Sequence, residues 1–208
     1  MAGPSERRER EKKELRSKIL DAARELFAQQ GYDAVTMRKI AERIEYSPTA
    51  IYLYFKDKDA LIADLCRNDF VAFAERFLEF TAVSDPVERL RRIGRAYLSF
   101  AADYPQHYKL MFMTRRPDAA EAEGDPEDPA VNAYVFLRST VAQATAEGRF
   151  REGFTDVDLI AQTLWAGTHG VVSLEIAKGN EKKWVDWRPL RERMEAMIDL
   201  LIGSLVKE

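Results

Sequence analysis

The stretch TMRKIAERIEYSPTAIYLYFKDK, Thr36 to Lys58, decides the fold. It reads as two short helices joined by a tight turn. Val35 precedes a Thr36 N-cap and Ile40 lies beyond it at the spacing of a hydrophobic staple, in which an apolar residue before the cap packs on the helix's first turns. The pattern repeats with Tyr46 before a Ser47 N-cap, Pro48 at the first helical position and Ile51 as the second staple. Ile40, Ala41 and Ile44 give the first helix one apolar face, and Ile51 and Phe55 do the same for the second. Helices of about two turns are unstable alone and must pack on neighbours. A helix–turn–helix of this size, with its second helix at 48–55 free to enter a DNA major groove, is the physical reading.

Upstream, Leu15, Ile19, Ala22, Ala23, Leu26 and Phe27 recur with a helical period as far as Gln30. Gly31 follows where a left-handed cap is wanted, so this helix completes a three-helix unit. Residues 1–14 carry almost nothing to bury. Glu6–Arg10 and Glu9–Lys13 have the i,i+4 spacing that supports a helix, so the segment either extends the next helix or forms a frayed arm. It is a solvated tail or a contact to DNA phosphate or minor groove.

Downstream, Asp57 caps a helix expected from Lys58 to about Phe80, with Ile62, Leu65, Cys66, Phe70, Phe73, Phe77 and Phe80 at threes and fours. Its first half suits the three-helix unit and its second half a different core, which makes it a mechanical connection. Ser84-Asp85-Pro86 starts a helix to about Asp103. After the break at Tyr104-Pro105, Tyr108, Leu110, Met111, Phe112 and Met113 form a short apolar helix. Residues 115–129, acidic and rich in proline, read as a loop. Helix is expected again from Ala130 to Glu147, from Asp156 to Lys178, and from Pro189 to about Lys207. Period-two alternation is absent, so the fold class is all-α, divided into residues 1–60 and 61–208.

Two sets of residues invite a functional reading. Phe73, Phe77, Tyr97, Met111, Trp165 and His169 are candidate lining residues for an apolar or aromatic small molecule, against the plainer reading of ordinary core. In the 156–178 helix, Ala166, Gly170, Ser173 and Ala177 share one face, and small residues there let another helix approach closely. With Met194, Met197 and Leu201 on the last helix they are candidate contacts of a two-fold, four-helix dimer interface, against burial within one chain.

Composition narrows the classes. The net charge of −3 excludes a generally basic nucleic-acid binder. Residues 1–60 carry 13 Lys and Arg against 11 Asp and Glu, whereas the remainder carries 19 against 24. The single cysteine, Cys66, forms no intramolecular disulfide and fits a reducing compartment. No apolar run approaches the roughly 18 residues of a membrane span, so a cytoplasmic location is expected. His107 and His169 have no metal-ligand spacing around them, and no nucleophile–base pair or phosphate loop supports catalysis. Neither metal nor cofactor is expected.

Ile19 to Leu65, with Gly31-Tyr32, Thr36, Ile40-Ala41, Ser47, Ile51-Tyr52, Phe55 and Lys56-x-Lys58, resembles the DNA-binding domain of the TetR (tetracycline repressor) family. Leu164 to Ile176, LWAGTHGVVSLEI, resembles the Trp-x-x-x-His-Gly signature of the WHG-type regulatory domain found in one branch of it. The resemblance implies a homodimeric transcriptional regulator, usually a repressor released from a pseudo-palindromic double-stranded operator by a small effector. It also implies that Arg38, Pro48, Thr49, Ala50 and Tyr52 meet base edges, that Thr36, Tyr52, Tyr54 and Lys58 meet phosphate, and that Ser47 shapes the turn. The chemistry agrees: Arg38 can grip a guanine, and Thr49 and Ala50 offer methyl groups to thymine. One departure stands out, because Glu45 occupies a turn position where the family often has glycine. An activator with the same DNA head, or a helical ligand-binding protein or enzyme without DNA function, are the alternatives.

Overall fold

In the computed structural model, which describes residues 4–113, 132–179 and 185–207, the elements are helices and helical turns. They are α1 (Pro4–Gln30), α2 (Met37–Arg43), α3 (Pro48–Tyr52), α4 (Lys58–Leu78), α5 (Pro86–Asp103), α6 (Pro105–Tyr108), α7 (Ala133–Ala146), α8 (Val157–Lys178) and α9 (Leu190–Leu205). A 3-10 turn, Glu79–Ala82, follows α4 and a π-helical turn, Lys109–Met113, follows α6. Among the described residues the only β pairing is an isolated bridge between Phe150 and Val206. The expected acidic loop at 115–129 and the middle of the expected linker before α9 lie outside the described residues.

The chain divides into two compact units, and the division falls inside α4, between Asp69 and Phe70. The first unit holds the described residues up to Asp69 together with Gln106 to Met113. Its core gathers Ile19, Ala23 and Phe27 of α1, Val35, Ile40 of α2, Ile51 of α3, and Leu61, Ile62 and Leu65 of α4, none above 2% exposed. The expected first staple, Val35 with Ile40, is fully buried. The second is not formed as expected, because Tyr46 is 43% exposed and leaves the anchoring of α3 to Ile51 and Phe55.

The segment 106–113 joins this unit through apolar and polar ties. Tyr108, Leu110 and Met111 are buried, and the Cys66 thiol lies 3.7 Å from the Leu110 carbonyl oxygen. Asp69, only 4% exposed, accepts hydrogen bonds from Arg24 at 2.8 Å and from His107 Nδ1 at 2.9 Å. A buried carboxylate is tolerable only when paired in this way. One carboxylate thus ties α1, α4 and α6, a constellation that the sequence pattern did not reveal.

The second unit packs α5, α7, α8 and α9 around Leu90, Ile93, Tyr97, Phe136, Val141, Ile160, Val172, Met194, Ile198 and Ile202. Local chemistry starts these helices: Asp85, Asn132 and Asp156 each accept a backbone N–H of the first turn. At Gly94 α5 and α9 approach closely, since a Cβ there would come within 2.8 Å of Ile198 Cδ1. Ion pairs Arg91–Asp199 and Arg95–Glu195 flank the same contact.

Candidate functional site

The helix–turn–helix is built as its caps require. Thr36 Oγ1 accepts from Lys39 N at 3.2 Å and Ser47 Oγ from Ala50 N at 3.2 Å, which closes the first turns of α2 and α3. Between them the chain turns at Glu45, the one non-glycine residue with positive φ among the described residues, at 61°. Tyr46 N donates to Ala41 O at 3.0 Å and Glu45 N to Glu42 O at 3.2 Å. This is the bonding of a Schellman motif, with glutamate in the place that glycine usually fills.

α3 ends at Tyr52, earlier than the expected 55, though Tyr54 and Phe55 amides still donate to Ile51 O. Ile51 and Phe55 point inward, at 0% and 4% exposure, which turns the other side of the helix outward. Ser47, Pro48 and Thr49 are exposed, Ala50 is half-buried, Tyr52 is 53% exposed and Tyr54 half-buried. Thr36 and Arg38 are exposed as well. Arg38 Nε rests on Glu42 Oε1 at 2.9 Å, a surface pair of small energetic worth that releases its guanidinium readily.

Lys58 has a structural task that the sequence did not disclose. Its ammonium donates to the Tyr32 and Val35 carbonyl oxygens at 2.9 and 3.1 Å and sits 3.9 Å from the centre of the Tyr32 ring. It therefore fixes the connection between α1 and α2 to the start of α4. Tyr32 adds a hydrogen bond from its hydroxyl to Asp59.

The second unit carries the aromatic cluster. Phe73 packs edge-on against Phe77 at 4.8 Å between centroids and Tyr97 at 5.7 Å, with Phe100 at 4.7 Å; Phe136 stands 6.0 Å from Phe77. A polar chain crosses its edge. Trp165 Nε1 donates to the Tyr97 hydroxyl at 3.2 Å, and that hydroxyl lies 3.1 Å from His169 Nδ1. Indole can only donate, so the phenol oxygen accepts from Trp165, and the direction of its second bond, to Nδ1, follows the imidazole tautomer. Burial pushes the His169 pKa below its ordinary value, favouring the neutral imidazole. Beside Trp165, at 6.0 Å between ring centroids, Tyr134 has a buried hydroxyl that finds no hydrogen-bond partner among the described residues. Sequence reasoning missed Tyr134 and read Phe136 only as an apolar helix position, because neither carries a motif.

Five of the six candidate ligand residues, Phe73, Phe77, Tyr97, Trp165 and His169, fall in this unit. Met111 does not: it is buried at 2% exposure in the first unit. Among the candidate dimer residues, Ala166 is exposed, and Gly170, Ser173, Met197 and Leu201 are half-buried. Met194 is a correction. At 0% exposure it belongs to the core of its own chain and has no surface to offer a partner. A Cβ on Gly167 would meet Leu201 Cδ1 at 2.6 Å, so Gly167 makes the close approach of α8 to α9, whereas Gly170 has open space around it. Leu159, Leu174 and Leu200 add exposed apolar surface to α8 and α9, at 62%, 46% and 71%.

A capped helix–turn–helix on a three-helix core, followed in the chain by a second helical unit, defines a class of DNA-binding regulator. Comparison with known proteins names the family. Residues 19–65 match the model for bacterial regulatory proteins, tetR family, and residues 90–201 match that for a tetracyclin repressor-like C-terminal domain. The chain belongs to the tetracycline-repressor family. It is 48% identical over 54 residues to the HTH-type transcriptional repressor Rv1474c of Mycobacterium tuberculosis, covering 26% of this chain and 29% of that one. It is 34% identical over 139 residues to the HTH-type transcriptional regulator HbdR of Aromatoleum sp., covering 66% and 61%. The chain thus spans less than two thirds of the length of either relative. The fold is that of Bacillus subtilis FadR, solved in complex with stearoyl-CoA, with a TM-score of 0.72, 22% identity and coverage of 90% and 98%. No helix among the described residues is long and apolar enough to cross a membrane.

Proposed function

We propose that this chain is a transcriptional repressor that binds a pseudo-palindromic operator as a homodimer and leaves it when a small apolar or aromatic effector binds its C-terminal unit. The observation that carries the DNA reading is the orientation of α3. Ile51 and Phe55 anchor it from within, and Pro48, Thr49 and Tyr52 stand out to solvent. In this reading Arg38, Pro48, Thr49, Ala50 and Tyr52 meet base edges, Ser47 holds the turn, and Thr36, Tyr52 and Tyr54 meet phosphate. Lys58 gives two of its three N–H donors to carbonyl oxygens, which leaves one for a phosphate oxygen.

The effector reading rests on the aromatic cluster of the second unit, with the Trp165–Tyr97–His169 chain and the Tyr134 hydroxyl as polar anchors for a mostly apolar body. Trp165 and His169 are the defining residues of the WHG-type signature, and their shared partner Tyr97 supports assigning them to one regulatory site. A long-chain acyl thioester is the first effector to try, because a protein of the same fold carries stearoyl-CoA. The dimer reading rests on the exposed apolar residues of α8 and α9, around Ala166, Gly170 and Ser173.

Fluorescence anisotropy with duplex from upstream of the gene tests the function. Wild type should bind that duplex in preference to scrambled duplex, Tyr52→Ala should bind it about 10-fold more weakly or worse, and an effector should raise the dissociation constant. Equal binding of both duplexes by wild type and Tyr52→Ala contradicts the reading. A ligand acts by binding the DNA-incompetent state more tightly, so one that binds without shifting operator affinity is no effector.

A further inference from the structure

The first three turns of α1 bury no apolar side chain. Residues 5–14 are exposed throughout, yet α1 is continuous from Pro4 and so reaches about 15 Å beyond Leu15. Charges on its outer side are matched at i,i+4, with Arg7 on Glu11 at 2.8 Å and Arg10 on Glu14 at 3.8 Å. The inner side is different. Arg8, Lys12 and Arg16 recur at i, i+4 and i+8, on the side that further along carries Ile19, Ala23 and Phe27 into the core. Like charges at this spacing repel. Arg8 and Lys12 have no carboxylate four residues away on either side; Glu11, three beyond Arg8, is paired with Arg7, Glu9 lies three before Lys12, and neither cation forms an ion pair among the described residues.

The third cation of the column is fixed. Arg16 pairs with Asp64 of α4, and its guanidinium carbon lies 5.4 Å from the centre of the Phe55 ring. Phe55 ends the turn that leaves α3, so the column starts beside the reading helix and runs outward from it. A repulsive line of cations on a helix with no core of its own is complementary to a line of anions. A lipid surface is not the match, because residues 5–14 hold no apolar side chain to sink into it.

We propose that Arg8 and Lys12 contact the phosphates of duplex DNA flanking the half-site that α3 reads, and so extend the footprint of each head without reading sequence. This rests on the DNA-binding reading above. Arg8 offers a planar fork to phosphate oxygens and Lys12 a mobile point charge.

The test is the salt dependence of operator affinity for the full chain and for Arg8→Gln/Lys12→Gln, with helix content of both checked by circular dichroism. The double variant should lose about 10-fold in affinity at physiological salt. Its slope of log affinity against log salt should be shallower by about two per head, roughly one for each phosphate contact removed. Its discrimination between operator and single-base variants should be retained. Trimming the duplex to the two half-sites should weaken wild type and leave the double variant unaffected. An unchanged slope and affinity, with discrimination intact, overturns the proposal. So does a loss of discrimination in step with affinity, which would make the pair structural. Wild type that prefers no operator at all removes the DNA-binding reading itself, a result distinct from both.

Discussion

Glu45 sits at φ 61° in a motif whose hydrogen bonds are those of a glycine-capped helix end. A Cβ in the left-handed region costs about 1–2 kcal/mol, offset in part by the greater freedom that glycine gives the unfolded chain. Glu45→Gly should therefore stabilise the protein by about 0.5–1 kcal/mol, a rise of a few degrees in the thermal midpoint. A lower midpoint would mean that the glutamate side chain compensates for its backbone. The cap residues around it were legible because a capping bond spans only two or three residues: Thr36, Ser47, Asp57, Asp85 and Asp156 all accept the first-turn amides that their positions imply. The carbonyl partners of Lys58 lie 26 and 23 residues away, and Asp69 meets Arg24 and His107 across 45 and 38. Such pairings depend on how helices cross, and no local pattern encodes them. His169 is the residue whose titration can be followed. Burial lowers its folded pKa, so the folded state binds fewer protons than the unfolded one. Stability is then unaffected by this group above its unfolded pKa of about 6.5 and falls as pH drops from there toward the folded value. The wild-type midpoint should decline more steeply below pH 6.5 than that of His169→Gln; parallel curves would contradict the burial argument.

At the scale of elements, periodicity located every long helix because burial of one face is what stabilises it. It did not find the right small residue. Gly167 and Gly170 stand three apart on α8, on neighbouring turns, and either suits a close helix approach. Only the position of Leu201 selects Gly167 for the contact within the chain and leaves Gly170 open. Gly94 was invisible for the same reason, and its constraint is tighter because its neighbour Ile198 is 2% exposed. Gly94→Ala should destabilise the protein by about 1–3 kcal/mol through overpacking against α9. Gly170→Ala, with room for its methyl, should instead raise chain stability by up to about 1 kcal/mol from helix propensity. Denaturant unfolding of the dissociated chain separates the two, and a destabilising Gly170→Ala there would contradict the open space around Gly170. Sedimentation of a charged Gly170→Asp variant addresses the dimer: a lower mass supports the α8 face as the interface, and an unchanged dimer places it elsewhere. The early end of α3 also escaped the pattern, whereas the long start of α1 is one of the two readings that the i,i+4 charge spacing of residues 6–13 offers.

At the scale of the whole molecule, the helix–turn–helix and the all-helical class were readable from one 23-residue stretch and its neighbours, because each short helix brings its own cap, staple and inward face. The ligand candidates were less so. Aromatic residues at helical spacing look alike whether they line a site or fill a core, and Met111 proved to belong with the DNA-binding unit. The central claim is that α3 reads sequence in a paired arrangement. Selection of bound duplexes from a random pool measures that directly. The account predicts a two-fold related sequence whose half-sites are centred about one helical turn apart or a multiple of it, with Tyr52→Ala recovering no such sequence. Recovery of no palindrome by the wild-type protein, or of the same one by Tyr52→Ala, would contradict it.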